Sequence, residues 1–298
     1  MEVLVRQPAL STHIRGATTR RIPVDGVEIA VETLGRGPAV LLLHGFPHTR
    51  AIWREVAPRL AAAGFRAIAP DLPGLGDSTP AVRGYQAPAI AADLLGLLTA
   101  LDVTEAHVAG VDLGVTPAFA LAAAHPEWVS SLTLSEGLLG SLPGAEEFLR
   151  DGPPWWFGFH QAPGGLAEDV LADSAERYIR FFLAAGSHRG LPEDLARIIV
   201  AAYRSRTSLT AAFDHYRAMP ATAAWIEAWA RDRRLVPPVL AVGGGAIAGA
   251  TARQLEPITG KLTEHVLDDC GHITPIDQPG AFADLIIDHA RASAGNRT

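Results

Sequence analysis

The chain has 298 residues, 48% of them hydrophobic and 19% charged, and a formal net charge of -7. So apolar a composition excludes a disordered chain and supplies a large core. No Lys/Arg cluster offers the concentrated basic surface that phosphate binding needs, so nucleic acid is not an expected partner.

The length suits one α/β core carrying an insertion. Cys270 is the only cysteine, so no intrachain disulfide forms, which fits a cytoplasmic location. Residues 1–21 carry several arginines and no apolar run of signal length, and read as a flexible lead-in. Later apolar stretches are short and broken by Gly, Pro or charge, so neither a membrane span nor a membrane partner is expected. The expected partner is a small-molecule substrate. Oligomeric state is left open, a homodimer included.

Residues 22–24 and 27–33 flank Asp25-Gly26 and predict a β-hairpin. A turn at 35–38 leads to the apolar run 39–43, a central parallel strand buried on both faces. A helix over 52–63 and a strand over 65–69 follow. Then come a helix over 88–101 with Pro88 near its start, a strand over 106–111, a helix over 113–125 and a strand over 129–134. This alternation predicts an α/β fold with a mostly parallel, doubly wound sheet, its first part spanning 22–140. From 141 to 220 the pattern is helical and rich in aromatics, which predicts an inserted helical cap domain over the sheet's C-terminal edge, where open α/β sheets bind ligands. Strands at 239–242 and 265–267 and helices at 251–255 and 279–292 complete the core over 221–298.

Chemistry concentrates at the strand ends. Gly110-Val111-Asp112-Leu113-Gly114 joins a predicted strand to a predicted helix and has the glycine spacing of a nucleophile elbow, with Asp at its centre. Asp is also a good helix cap, but its partners favour a catalytic role. His44-Gly45-Phe46-Pro47 ends the central strand. Such a loop contributes one oxyanion-hole donor, here the Phe46 N–H, and the residue after the nucleophile, Leu113, contributes the other. His44 reads as an orienting residue. Gly271-His272 follows the last predicted strand and places a base across the top of the sheet.

These motifs, together with Asp71-Leu72-Pro73-Gly74-Leu75-Gly76-Asp77-Ser78, make the chain resemble the α/β-hydrolase superfamily from about residue 22 onward. The resemblance is to the branch of epoxide hydrolases and haloalkane or haloacid dehalogenases. It implies a covalent alkyl ester on Asp112, cleared by water that His272 activates, with no cofactor and no metal. Two positions depart from the branch. Val111 stands where His is common, and the loop 243–250 has no carboxylate to orient the histidine. Some dehalogenases carry that acid one strand earlier, which assigns it here to Glu136, with Asp268 and Asp269 as alternatives.

The lid decides the leaving group. Tyr216, in a Tyr-Arg pair, resembles the lid tyrosine that hydrogen-bonds the oxirane oxygen in epoxide hydrolases. Trp156 or Trp155 stands in place of a second tyrosine. Fluoroacetate dehalogenases carry arginines beside the nucleophile, and haloalkane dehalogenases often carry Trp after it; this chain has Leu113, Val115 and Thr116 there. The expected function is therefore opening of a bulky, apolar epoxide, such as a natural-product intermediate, to a vicinal diol. A hydrolytic dehalogenase and a non-catalytic ligand receptor on the same fold are the alternatives.

Overall fold

The computed structural model describes residues 10–295. Eight strands form one sheet in the order β1-β2-β4-β3-β5-β6-β7-β8. β1 (Thr18–Val24) and β2 (Val27–Gly35) pair as an antiparallel hairpin. Both tip residues, Asp25 and Gly26, have positive φ (44° and 92°), the left-handed pair that matches a two-residue turn to strand twist. β2 also pairs antiparallel with β4 (Arg66–Pro70). β3 (Ala39–Leu43), β5 (Ala106–Val111), β6 (Val129–Ser135), β7 (Val239–Gly243) and β8 (Leu262–Val266) continue the sheet in parallel.

β3, β5, β6 and β7 are buried along their whole length, so β3 and β7 run apolar without alternation, while the polar residues of β5 and β6, such as His107 and Ser131, bond one another inside. Helices α1 (Val56–Ala62), α2 (Ala87–Ala100) and α3 (Val115–Ala124) cross between the early strands. The chain leaves β3 for β4 on one side, then returns to β5 on the other. Strand order thus reverses at β3, and the reversal opens a crevice at the C-terminal ends of β3 and β5.

Between β6 and β7 lie six α-helices and, among the described residues, no strand. They are α4 (Trp155–His160), α5 (Leu166–Val170), α6 (Ala175–Gly186), α7 (Glu193–Ala201), α8 (Arg206–Arg217) and α9 (Met219–Ala230). The helical insertion runs ten residues past the expected end at 220, because Pro220 opens a helix instead of closing one: it sits in the first turn of α9, where its missing N–H costs nothing. After β7 come α10 (Ala250–Leu255), α11 (Thr274–Asp277) and α12 (Pro279–Gly295).

Two sequence expectations need correction. β1 begins at Thr18, inside the stretch read as a flexible lead-in, and the residues before it are tied down. Glu32 accepts from the His13 and Ile14 N–H groups at 2.9 and 2.6 Å, Arg50 donates to Ser11 O at 2.8 Å, and Ile14 is buried. The first nine residues of the expected lead-in lie outside the described residues. β8 occupies 262–266, earlier than the expected 265–267; it is an edge strand with mostly exposed side chains, so it carries no apolar run. Among the described residues no helix is long and apolar enough to cross a membrane.

Candidate active site

Asp112 leaves β5 with a φ of 53°, a left-handed conformation that lifts its side chain above the sheet edge. The flanking glycines make room for the turn. A Cβ on Gly114 would lie 2.5 Å from Leu43 O, and one on Gly110 would run into Gly114 O. The Phe46 N–H donates to Asp112 Oδ1 at 2.8 Å, and the Leu113 N–H also bonds the carboxylate. Both expected oxyanion-hole donors therefore converge on one group. Gly45 is needed for the approach, since a Cβ there would overlap the Asp112 carboxylate.

His44 is fully buried below this loop. Its Nε2 accepts from the Leu72 N–H at 3.1 Å, so the proton sits on Nδ1, which donates to Gly45 O at 2.9 Å. It braces the loop and does not face the nucleophile.

His272 reaches Asp112 from the loop after β8. Its Nε2 is 2.8 Å from Asp112 Oδ2, and its Nδ1 is 3.2 Å from Glu136 Oε2. The Asp112 and His272 side chains are 19% and 23% exposed, whereas Glu136 is 0% exposed. Glu136 follows β6 in a left-handed conformation (φ 52°) that turns its carboxylate toward β7. There the Gly244 and Ile247 N–H groups donate to it at 2.5 and 3.1 Å. The glycine-rich loop that lacks an acid thus cradles one from the neighbouring strand. Sequence reasoning missed these two amides; the glycine run after a strand was their signal. Asp268 and Asp269 are exposed, and Asp269 pairs with Arg189 at 3.2 Å, so neither stands at the histidine.

Burial alone raises the Asp112 pKa, but the hydrogen bond and charge of His272 outweigh it and hold the carboxyl below the usual range. Burial likewise pulls the His272 imidazole down, and its bonds to Asp112 and Glu136 prevail, raising it to about 10. The resting pair is a carboxylate facing an imidazolium.

A cavity of about 470 Å³ opens above these groups, with Asp112, Leu113 and His272 on its floor and Trp156, Phe157 and Tyr216 from the helical insertion above. Among the described residues no Lys or Arg lines it. Tyr216 is buried; that burial, followed by the Asp112 charge, raises its phenol well above the ordinary value and keeps it a donor. Trp155, expected beside Trp156, is not part of the wall: it is 58% exposed. Consecutive helical residues point about 100° apart, so α4 turns one of the pair inward and the other out.

The arrangement offers a carboxylate on the cavity floor, two N–H donors on that carboxylate, a histidine backed by a buried acid, and a protonated phenol overhead. Such a set suits displacement at a saturated carbon followed by hydrolysis of the resulting ester.

A family model described as alpha/beta hydrolase fold matches residues 38–279. The chain is similar to the bifunctional epoxide hydrolase 2 of Sus scrofa, at 25% identity over 91% of this chain and 54% of that protein, so it spans about half the length of that relative. It is also similar to epoxide hydrolase 1 of Siraitia grosvenorii, at 30% identity over 74% of this chain and 79% of the relative. Among solved structures, Cfl2 from Burkholderia cenocepacia superposes with a TM-score of 0.81 at 30% identity, covering 91% of this chain and 94% of that one.

Proposed function

The chain belongs to the α/β-hydrolase fold family, close to the epoxide hydrolases, and on that premise we propose that it opens an epoxide to a vicinal diol through a covalent ester on Asp112. One observation carries the reading: Asp112, on the cavity floor, has Oδ1 bonded by the Phe46 N–H and Oδ2 by His272. A carboxylate so divided has one oxygen for attack and one already in an oxyanion hole.

In the first step Oδ2 forms a bond to a ring carbon, and the carbon–oxygen bond of the epoxide breaks with its electrons on oxygen. Tyr216 hydrogen-bonds that oxygen and passes it a proton, which the His272 imidazolium replaces through solvent. The site then holds a neutral ester, a neutral histidine and a product hydroxyl. In the second step His272 takes a proton from water, and the hydroxide attacks Asp112 Cγ. Negative charge collects on Oδ1 between the Phe46 and Leu113 N–H groups. Collapse expels the product alkoxide, which takes the proton from His272. The Asp112 carboxyl returns its own proton to the histidine and restores the ion pair. Glu136 steadies the imidazolium whenever it forms.

The apolar lining and, among the described residues, the absence of Lys and Arg from the wall favour an uncharged, bulky, apolar epoxide. They speak against a haloacid, whose carboxylate needs a cationic grip. Glu136 beside His272 favours an enzyme over a non-catalytic receptor.

The test is a single turnover in oxygen-18 water with an epoxide and a matched alkyl bromide. Label is expected in the Asp112 peptide and not in the diol, because water attacks the ester carbonyl. His272→Gln is expected to accumulate a protein adduct of the substrate mass, and Asp112→Asn to form none. Label in the diol in the first turnover rules out the ester. Adduct from the bromide alone makes the chain a dehalogenase.

A further inference from the structure

Phe46 joins the core half of the site to the cap. Its N–H bonds Asp112, while its side chain enters the cap and meets the rings of His160, Phe182, Tyr203, Phe213 and Tyr216, with centroids 5.2 to 6.2 Å away. His160 is the hub of this cage. It stacks on Phe213 (4.3 Å, 16° between planes) and meets Tyr216 edge to face (4.3 Å, 70°) and Phe46 likewise (5.2 Å, 74°). It is fully buried, and its Nε2 lies 2.6 Å from the Tyr178 hydroxyl. Its Nδ1 has no hydrogen-bond partner among the described residues. Burial, together with Arg217, pushes the imidazole down to about 3, so it fills the cage as a neutral ring.

We propose that His160 is a positioning residue: its ring holds Tyr216 over the cavity and, through the ring of Phe46, holds the Phe46 N–H on Asp112. The part concerning Tyr216 rests on the epoxide reading above; the part concerning Phe46 does not. A close-packed interior transmits displacement instead of absorbing it, so a void at His160 lets both rings shift. Shifts of about 1 Å in a group that positions reacting atoms are enough to slow chemistry roughly 100-fold. The ring carries the role, since Tyr178 is the sole hydrogen-bond partner of the His160 imidazole among the described residues and is not part of the cavity wall.

The experiment compares His160→Phe, which keeps an aromatic ring, with His160→Gln, which keeps a polar group and loses the ring. His160→Leu repeats the second comparison if the Gln variant does not fold. The full chain is labelled with ¹⁵N-phenylalanine, and the Phe46 amide among its ten phenylalanines is assigned through Phe46→Leu. Its proton signal, set by the bond to Asp112, is expected to stay in place in His160→Phe and to move in His160→Gln. Single-turnover alkylation and ester hydrolysis are expected within about twofold of wild type in His160→Phe and about tenfold slower in His160→Gln, at unchanged KM. A Phe46 signal that stays put in the ringless variant overturns the proposal, as does one that moves equally in His160→Phe. If the wild type forms no ester with any epoxide, the activity reading falls while the amide signal still decides the role of His160.

Discussion

Glu136 and Gly244 are hydrogen-bonded, carboxylate to N–H at 2.5 Å, although they belong to loops after different strands, β6 and β7. Because those strands are neighbours in the sheet, an acid at the end of one reaches the amides at the end of the next. The loop supplies donors and the adjacent strand supplies the charge, and His272 meets the same carboxylate from a third loop.

Glu136→Gln is expected to fold and to lose activity. A neutral amide at 3.2 Å from Nδ1 leaves the imidazolium without its charge-assisted partner. Such a bond contributes about 1.5–3 kcal/mol, or roughly 10- to 150-fold in rate. Asp269→Asn serves as the control, since Asp269 is exposed and paired with Arg189; kcat within about twofold of wild type is expected for a surface change of this kind. The reverse ranking of the two variants in steady-state assays removes the acid role from Glu136.

Much of this constellation is legible in sequence because strand ends are. The run 39–43 is apolar at every position and 106–111 at all but His107, since both faces of those strands are buried, and the motifs that follow them must emerge at one sheet edge. Glu136 is readable as the residue that follows the end of β6. What holds it is less readable: the Gly244 and Ile247 donors are backbone groups, marked in the sequence only by the glycine run that lets them approach. The choice between Trp155 and Trp156 depends on the phase of α4, a short helix whose six residues include four Trp and Phe side chains and give no polar face to orient it. β8 escapes because an exposed edge strand is not selected for apolar character.

Gly244→Ala tests the backbone half of that arrangement. A Cβ there would collide with Gly271 O, the carbonyl next to His272, and would sit 3.4 Å from Glu136 Oε1. The two loops are expected to part, with loss of the Gly244 bond at a cost of about 1–3 kcal/mol in the reaction barrier or in stability. Gly260→Ala, where a Cβ meets nothing within 4 Å, is the matched control and is expected to be neutral. Thermal melts and kcat on both variants check this, and wild-type behaviour of Gly244→Ala contradicts it.

Acidification is expected to trap the ester. In the free protein, burial works against the charged form of His272, but its bonds to Asp112 and Glu136 outweigh it and raise the pKa to about 10. Esterification of Asp112 removes one of those two negative partners, so the histidine pKa falls and the imidazole becomes a base. Hydrolysis, which needs neutral His272, then slows as pH drops through this lowered pKa. Alkylation needs ionised Asp112, whose pKa lies below the usual carboxylate range despite burial, so it persists at lower pH. Rapid quench and intact-mass analysis of the wild type at about pH 5 and about pH 8, either side of an ordinary histidine pKa, are expected to show more ester at the acidic value. Equal or greater ester at the alkaline value contradicts the base role.

An epoxide and a halide are expected to differ in their need for Tyr216. Opening an epoxide develops charge on an oxygen that stays in the product, and Tyr216 is a buried phenol kept protonated in view of Asp112. A halide departs as a stable anion and needs no proton. Tyr216→Phe keeps the ring that His160 and Phe46 pack against and removes only the hydroxyl. Loss of a hydrogen bond to a developing oxyanion costs about 2.7–4 kcal/mol, roughly 100- to 1,000-fold in rate. Epoxide alkylation of Asp112 is therefore expected to slow by that factor in a His272→Gln background, while alkylation by a matched bromide changes little. Trp156→Phe is expected to slow both, because an indole N–H serves oxygen and halide alike, and Trp155→Phe neither, because Trp155 faces away from the cavity. An equal effect of Tyr216→Phe on the two electrophiles would mean that its hydroxyl does not meet the ring oxygen, and the proton would then have to come from another donor in the wall.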